Sequence, residues 1–369
     1  MRIHAKILAQ VVLSTVLSTS FVLGSYVQRR ATVCNGHAEL CDRSFGNVTF
    51  VGAHNSYAVG INDLSTNQDY DVTQQLTDGV RMLQMQAHNL SGTIQLCHTA
   101  CSLYNGGTLN DYLVKVKTWM NANPTEVVSL LIVNSDNLAP TEFDAVFKSA
   151  GVDTMSYSPP SASLQQDAWP TLGTLIDSGK TLVAFLSTTA DFTSVPYLID
   201  EFSNMWETAF DVVDPAFDCN VNRSRGDTST QMYLINHFLD QPFAGIAAIP
   251  VPFRDHANIT NAASGAGSLG EQVATCVSDH TKNPNFLLVD FYEYGGGSVF
   301  QVAATANGVT YNPTTPIATP ISETSTSTTS TTSSGSSSGA IGLLAISQPQ
   351  FYSVMFVASS VIFGALSVL

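Results

Sequence analysis

Basic residues are scarce: Lys and Arg number 14 against 29 Asp and Glu in 369 residues, a formal net charge of −15 at pH 7. A surface so acidic repels phosphate backbones, which excludes nucleic acid as a partner, and anionic bilayers do not attract it by charge. No CxxC pair occurs, so a zinc site has no ligand pattern to rest on. Nor is there a GxSxG elbow, an HExxH helix or a Walker loop, the marks of a serine hydrolase, a zinc protease and a nucleotide-binding enzyme. Charged residues are only 12% of the chain and hydrophobic ones 44%. That balance excludes disorder for most of the chain and supplies enough apolar material for one large core.

The two ends differ from the middle. Residues 1–30 read as a signal peptide with a pro-segment: Arg2 and Lys6 precede an apolar run, and Arg29 and Arg30 form a dibasic site that would leave Ala31 as the mature start. Loss of these four cations would leave the remainder at −19. Residues 319–350 hold the tract "SETSTSTTSTTSSGSSSG", which suits an O-glycosylated stalk, and residues 351–369 are a terminal apolar tail. Small residues, spacer and tail fit a glycosylphosphatidylinositol (GPI) signal better than a membrane span, since no basic residue flanks the tail. The expected location is therefore extracellular, at the cell surface on a lipid anchor.

Secretion suits the six cysteines, for which sequence proximity suggests Cys34 with Cys41, Cys97 with Cys101 and Cys219 with Cys276. It also suits the four sequons at Asn47, Asn89, Asn222 and Asn258, each expected on an exposed loop as a glycan acceptor.

Residues 31–318 show no linker and no repeat, so they are expected to form one domain. Short apolar runs alternate with amphipathic stretches. Strands are predicted at 48–54, 79–88, 93–98 and 126–136, with later ones in "KTLVAFLS", "FAGIAAIPV" and "NFLLVDFY". Between them, "TLNDYLVKVKTWMNANP" places Leu109, Tyr112, Leu113, Val116, Trp119 and Met120 on one helical face behind a Thr108 cap. The alternation predicts an α/β fold with a parallel sheet, as a single (β/α)8 barrel or, in competition, a doubly wound open sheet.

Chemistry in such barrels gathers at the carboxyl ends of strands. By these strand limits His54, Gln84, Gln86, His98, Asn134 and Asp290 all lie at or near such ends. A carboxylate ending an apolar run is costly unless paired. Asp290 orienting one histidine, with the other facing it, would give a base, an orienter and an acid suited to cleaving a phosphodiester.

The stretches "FVGAHNSYAVG", "QQLTDGVRMLQMQAHN", "IQLCHTAC", "NPTEVVSLLIVNSDN" and "NFLLVDFYE", in this order, resemble the X domain of phosphatidylinositol-specific phospholipases C. With "YLINHFLD" and the cysteines, the chain is most similar to fungal secreted phospholipase-C-like phosphodiesterases. The resemblance implies a distorted TIM barrel. It implies that His54 is the general base acting on the inositol 2-hydroxyl, that His98 is the general acid for the leaving diacylglycerol oxygen, and that Asp290 orients His54. Asn55 matches an asparagine that helps hold calcium in the eukaryotic branch.

The departures bear on cofactors. Relatives balance the phosphate charge with calcium on an acidic pair, or with an Asp and an Arg, where this chain has Gln84 and Gln86. Asn134, near a further ligand position, is also neutral. Hard cations want carboxylate oxygens, so no metal cofactor is expected. Gln84, Gln86, Asn55 and Asn134 remain as substrate-binding candidates, and Arg254 or Lys282 as possible later cations. The expected activity is a phosphoric diester hydrolase on a phospholipid or inositol phosphodiester, by a monomer using His54 and His98 without metal. The alternative is a catalytically inactive surface-binding module on the same barrel; a metal-dependent glycerophosphodiesterase is the third reading.

Overall fold

The structure is a computed structural model that describes residues 30–61, 63–243 and 246–322. The expected leader before Arg30, and the anchor-attachment region and apolar tail beyond Ser322, lie outside the described residues.

Eight parallel strands carry the fold: β1 (Phe50–Ala53), β2 (Met82–Leu90), β3 (Val128–Asn134), β4 (Leu182–Leu186), β5 (Leu198–Asp200), β6 (Met205–Glu207), β7 (Met232–Asn236) and β8 (Phe286–Val289). Their hydrogen-bonded order is β5-β4-β3-β2-β1-β8-β7-β6. Every step but one joins strands that are neighbours in sequence, and the exception closes the ring: β1 pairs with the last strand, β8, as Phe50↔Phe286 through Ala53↔Val289. A doubly wound sheet reverses its order at a switch point, whereas this order is cyclic, so the chain forms a β/α barrel.

The barrel is distorted at one seam, since β5 and β6 form no ladder with each other. They are joined by the four residues Glu201–Asn204, a helical link that spans only about 6 Å at 1.5 Å per residue, so the two edges stay close. The polar groups there are met by side chains. Asn204 accepts from the Leu164 amide at 2.9 Å and donates to the Asp200 carbonyl at 2.9 Å, and Gln231 donates to the Phe202 carbonyl at 2.8 Å.

Helices cover the outside between most strands: α1 (Val72–Asp78), α2 (Leu109–Ala122), α3 (Pro140–Ala150), α4 (Leu172–Asp177), the short link α5 (Glu201–Asn204), α6 (Ala257–Thr260), α7 (Leu269–His280) and α8 (Ser298–Asn307). Thr108 caps α2 as expected, accepting from the Asp111 amide, and Gly151 closes α3 in a left-handed conformation. No helix separates β4 from β5, or β6 from β7. Among the described residues no helix is long and apolar enough to cross a membrane.

One strand expectation is corrected. The apolar run "FAGIAAIPV" is not a barrel strand: Asp240–Phe243 pairs antiparallel with Ile246–Pro252 as a separate hairpin. A second excursion matters for the site. β2 runs on beyond the barrel, pairs antiparallel with Thr93–His98, and that segment pairs with Tyr104–Thr108, so His98 is carried back over the barrel mouth. The Cys97–Cys101 disulfide closes the turn behind it, and the other bonds are Cys34–Cys41 and Cys219–Cys276, the three expected pairs. Asn47, Asn89, Asn222 and Asn258 are all exposed.

Along each strand the interior residues change character. Phe50, Met82, Met205, Met232 and Phe286 fill the amino end together with Phe45, Trp169 and Phe185. The same two-residue period leads to His54, Gln84, Gln86, Glu207, Asn236 and Asp290 at the carboxyl end. Between them Gly52 leaves room that a Cβ would take from Leu288 Cδ1 at 3.0 Å and Met82 Cβ at 3.2 Å.

Candidate active site

His54 follows β1 directly, and Asp290 follows β8. Because β1 and β8 pair in register, the two side chains meet: His54 Nδ1 lies 2.8 Å from Asp290 Oδ1, with side-chain exposures of 12% and 7%. An ionised carboxylate only accepts, so Nδ1 carries the proton and Nε2 presents its lone pair. The Asn55 side chain donates from Nδ2 to that lone pair at 3.1 Å. Phe238 stacks on the imidazole with centroids 3.7 Å apart and planes 9° from parallel, which fixes the ring and keeps water from one face.

Asp290 is further held by Asn67, whose Nδ2 reaches both carboxylate oxygens at 3.1 and 3.0 Å. Gln68, the next residue, donates to the His54 carbonyl at 2.8 Å and the Val289 carbonyl at 3.1 Å, tying the ends of β1 and β8. Asn261 donates to the Asp290 and Phe291 carbonyls, both at 2.9 Å. Asn67, Gln68 and Asn261 sit in loops, where no periodicity marks them in the sequence.

His98 approaches from the hairpin. Its Nδ1 is 2.6 Å from the Ser65 carbonyl, so this nitrogen donates and Nε2 is turned to the other side of the ring. Burial lowers its pKa below the ordinary histidine value; the Ser65 carbonyl works against this, and the charge of His54 adds to the lowering. A histidine so placed gives up its proton readily once charged.

His54, His98 and Asp290 are each followed by a non-glycine residue in the left-handed region: Asn55 at φ 40°, Thr99 at φ 62° and Phe291 at φ 45°. Such backbone persists where surroundings over-determine it, and it clusters at functional sites. The structure supplies the restraint each time. The Asn55 amide donates to Gln84 Oε1 at 2.6 Å, the Thr99 amide to Gln86 Oε1 at 3.0 Å, and the Phe291 amide to the Asn67 carbonyl at 2.9 Å.

Gln84 and Gln86 therefore lie in the barrel mouth, beside His54 and His98 respectively. Backbone N–H groups take their carbonyl oxygens, so neither oxygen faces a cation, while their Nε2 groups have no hydrogen-bond partner among the described residues. The residues present do not fit calcium: the donor oxygens it would need at these positions are engaged, and neither position offers a carboxylate. Among the described residues no group of three or more His, Cys, Asp and Glu is placed to hold a metal ion.

Asn134 is not brought to the site. It shares the outward face of β3 with Leu130 and Ile132, and its amide ties loops together, donating to Leu138 O at 2.9 Å and Thr189 Oγ1 at 2.8 Å and accepting from the Leu138 amide. Arg254 and Lys282 are also engaged elsewhere. Lys282 donates to the Gln231 carbonyl at 2.5 Å, beside the amino end of β7, and Arg254 pairs with Asp69. His237 packs, fully buried between Gln272 and the Thr260 carbonyl, and burial pushes its pKa down to about 4.

Two acids that sequence reasoning missed stand beside the histidines. Asp240 is 7% exposed, and its pKa is pushed up to about 7, by burial first and by the charges of Asp290 and Asp211, against His54. Asp211 is raised by burial and drawn down by His54 and His98. Asp240 continues the inward row Leu234, Asn236, Phe238, so extending the strand alternation would have found it. Arg223 lies near Asp211 but pairs with Glu207, under the ring of Phe210 at 4.4 Å.

The fold and site together define an α/β barrel with a His–Asp dyad and a second histidine at the carboxyl ends of its strands. The family model described as PI-PLC X 1 matches residues 40–307, and the chain belongs to that family. It is 44% identical over 281 residues to the PI-PLC X domain-containing protein 1 of the fungus Arthroderma benhamiae, covering 75% of this chain and 90% of that one. An uncharacterized secreted protein of the same organism is 47% identical over 287 residues, 76% of this chain, which spans 65% of that relative's length. Phosphatidylinositol-specific phospholipase C of Staphylococcus aureus gives a TM-score of 0.49 at 14% identity, covering 74% of this chain and 96% of that one.

Proposed function

We propose that the chain is a secreted phosphoric diester hydrolase of the phospholipase C type, held outside the cell on a GPI anchor, that works by acid–base catalysis without metal. The observation that carries this reading is the His54–Asp290 dyad with His98 beside it. His54 Nε2 takes the proton from a hydroxyl next to the substrate phosphate, and that oxygen bonds to phosphorus. The bond from phosphorus to the leaving alcohol breaks, and His98 Nε2 delivers the proton the departing oxygen needs. The first product is a cyclic phosphodiester.

Charge builds on the phosphate as this happens and must meet donors fixed in advance. The Nε2 groups of Gln84 and Gln86, which bond no other group among the described residues, each stand beside one histidine and are the donors that support a metal-free route. Phosphatidylinositol or a related phosphodiester is the proposed substrate. Exposed apolar side chains on the loops around the mouth support a lipid: Leu64 next to Ser65, Leu103 past the His98 turn, and Phe210 and Val213 beside Asp211.

The second reading, a non-catalytic surface module, draws on the same two glutamines, because they put neutral groups where charged ones balance phosphate in relatives. The two readings part on one comparison. In a catalyst, His54→Ala and His98→Ala each lower hydrolysis of phosphatidylinositol by at least about a hundredfold while the melting temperature stays near that of the parent. Hydrolysis indifferent to both changes would refute the assignment.

A further inference from the structure

The segment that follows α8 returns across the molecule and docks beside the site. The Ile321 amide donates to Asp69 Oδ2 at 2.8 Å, and the Ile321 carbonyl accepts from Arg254 Nη2 at 2.9 Å. Tyr70 donates to the Thr319 carbonyl at 2.5 Å, and the Ala318 amide to Asp78 Oδ2 at 3.2 Å. Ile317 packs against the outer core.

Arg254 is the hub of this contact. It also pairs with Asp69 at 2.7 Å and donates to the Ile61 carbonyl at 2.5 Å and the Tyr294 hydroxyl at 2.9 Å. Asp69 has no exposed side-chain surface. The carboxyl of Glu293 lies against it, and its two buried oxygens meet no other donor among the described residues. Burial first, and then the charge of Asp69, raise the Glu293 pKa and favour its protonated form.

The residues gripped by this clamp belong to the loop that sets both histidines. Ser65 accepts from His98, Asn67 holds Asp290, and Gln68 ties β1 to β8. Asp69 follows at once. We propose that residues 317–322 are a strap whose docking on Asp69, Asp78 and Arg254 positions the 63–70 loop for the work of His54 and His98. The strap ends where the Ser/Thr-rich sequence begins, so the root of the stalk is wired into the site. This inference rests on the hydrolase reading for its effect on rate, but not for its effect on the loop. Asp69, Arg254 and Ile321 are positioning residues and touch no reacting atom.

The test uses the complete secreted chain. Ile321→Pro removes the one N–H that Asp69 accepts from the strap, while Ile321→Val keeps it. We expect the proline variant to lose roughly tenfold to a hundredfold in kcat with KM within about threefold, because small displacements of positioned groups act on the chemical step. The valine variant stays within about twofold of the parent. Hydrogen exchange supplies a readout independent of turnover: the amides of Asn67 and Gln68, both bonded to the Ala58 carbonyl, exchange faster in the proline variant and not in the valine variant. Unchanged exchange at these amides in a folded Ile321→Pro chain overturns the strap whether or not the parent hydrolyses anything. Faster exchange with a parent that hydrolyses no phosphodiester would sustain the effect on the loop and refute the hydrolase reading.

Discussion

At the amino end of the barrel the interior rows begin with Phe50, Met82, Met232 and Phe286; at the carboxyl end the same rows finish in His54, Gln86, Asn236 and Asp290. The first set closes into an aromatic plug, with Phe45, Phe50, Trp169, Phe185 and Phe286 at centroid distances of 5.2 to 6.1 Å. Such a plug needs only volume and shape. The second set is polar and largely buried, and nearly every group has a named partner, because an unpaired one would cost several kcal/mol. The amino end therefore gives the barrel its stability, and the carboxyl end is free to bear strain and unusual protonation.

Exchanging a residue at each end separates the two roles. Phe286→Ala empties part of the plug and should cost about 3–5 kcal/mol of stability, with specific activity of the folded fraction near the parent's. His98→Ala does the reverse: a rate loss of a hundredfold or more with little change in denaturant midpoint. Urea titrations and turnover measured on the same two preparations would expose any mixing of the roles.

A smaller effect sharpens the polar end. Asp240, pushed up to about 7, is protonated in acid and charged above that value. Its charge then opposes a phosphate in the mouth, so turnover falls as pH rises through about 7. His98 acts in the same direction from a lower pH, since its lowered pKa leaves less of the proton-bearing form as the medium turns neutral. Asp240→Asn should raise turnover several-fold relative to the parent at pH 8 and change little at pH 5. Coincident pH–rate curves would remove Asp240 from the site.

The smallest expected effect is on stability. Glu293 is raised from an ordinary 4.5 to about 9. A raised carboxyl contributes stability fully below its unfolded value and loses it as pH rises toward its folded value. His237 works in the opposite direction below its ordinary 6.5. Comparison with Glu293→Gln isolates the carboxyl: the melting temperature of the variant minus that of the parent should become more positive from pH 5 to pH 9. A constant difference would mean that Glu293 does not hold its proton.

How much of this was legible in the sequence follows from the same contrast. β1, β2, β3 and β8 show as apolar runs, and the steps Phe50-Gly52-His54 and Phe286-Leu288-Asp290 put the dyad at strand ends. Asn134 misled because β3, "VSLLIVN", is apolar on both faces, so its period gives no inside or outside. β5 and β6 have three residues each, too few for a period to show. The run "FAGIAAIPV" reads as a strand of the main sheet yet lies in the hairpin at 240–252, because an apolar run carries no information on its partner. Asn67, Gln68 and Asp69 act through loop geometry and long-range contacts, which composition and periodicity do not record.

The most direct test of the account is the product formed from phosphatidylinositol by the secreted chain, through residue 322, at pH 5 in excess chelator. Steady release of a cyclic inositol phosphate at the rate seen without chelator is the expected result. Release abolished by chelator and restored by calcium would contradict a site in which Gln84 and Gln86 take the place of a cation.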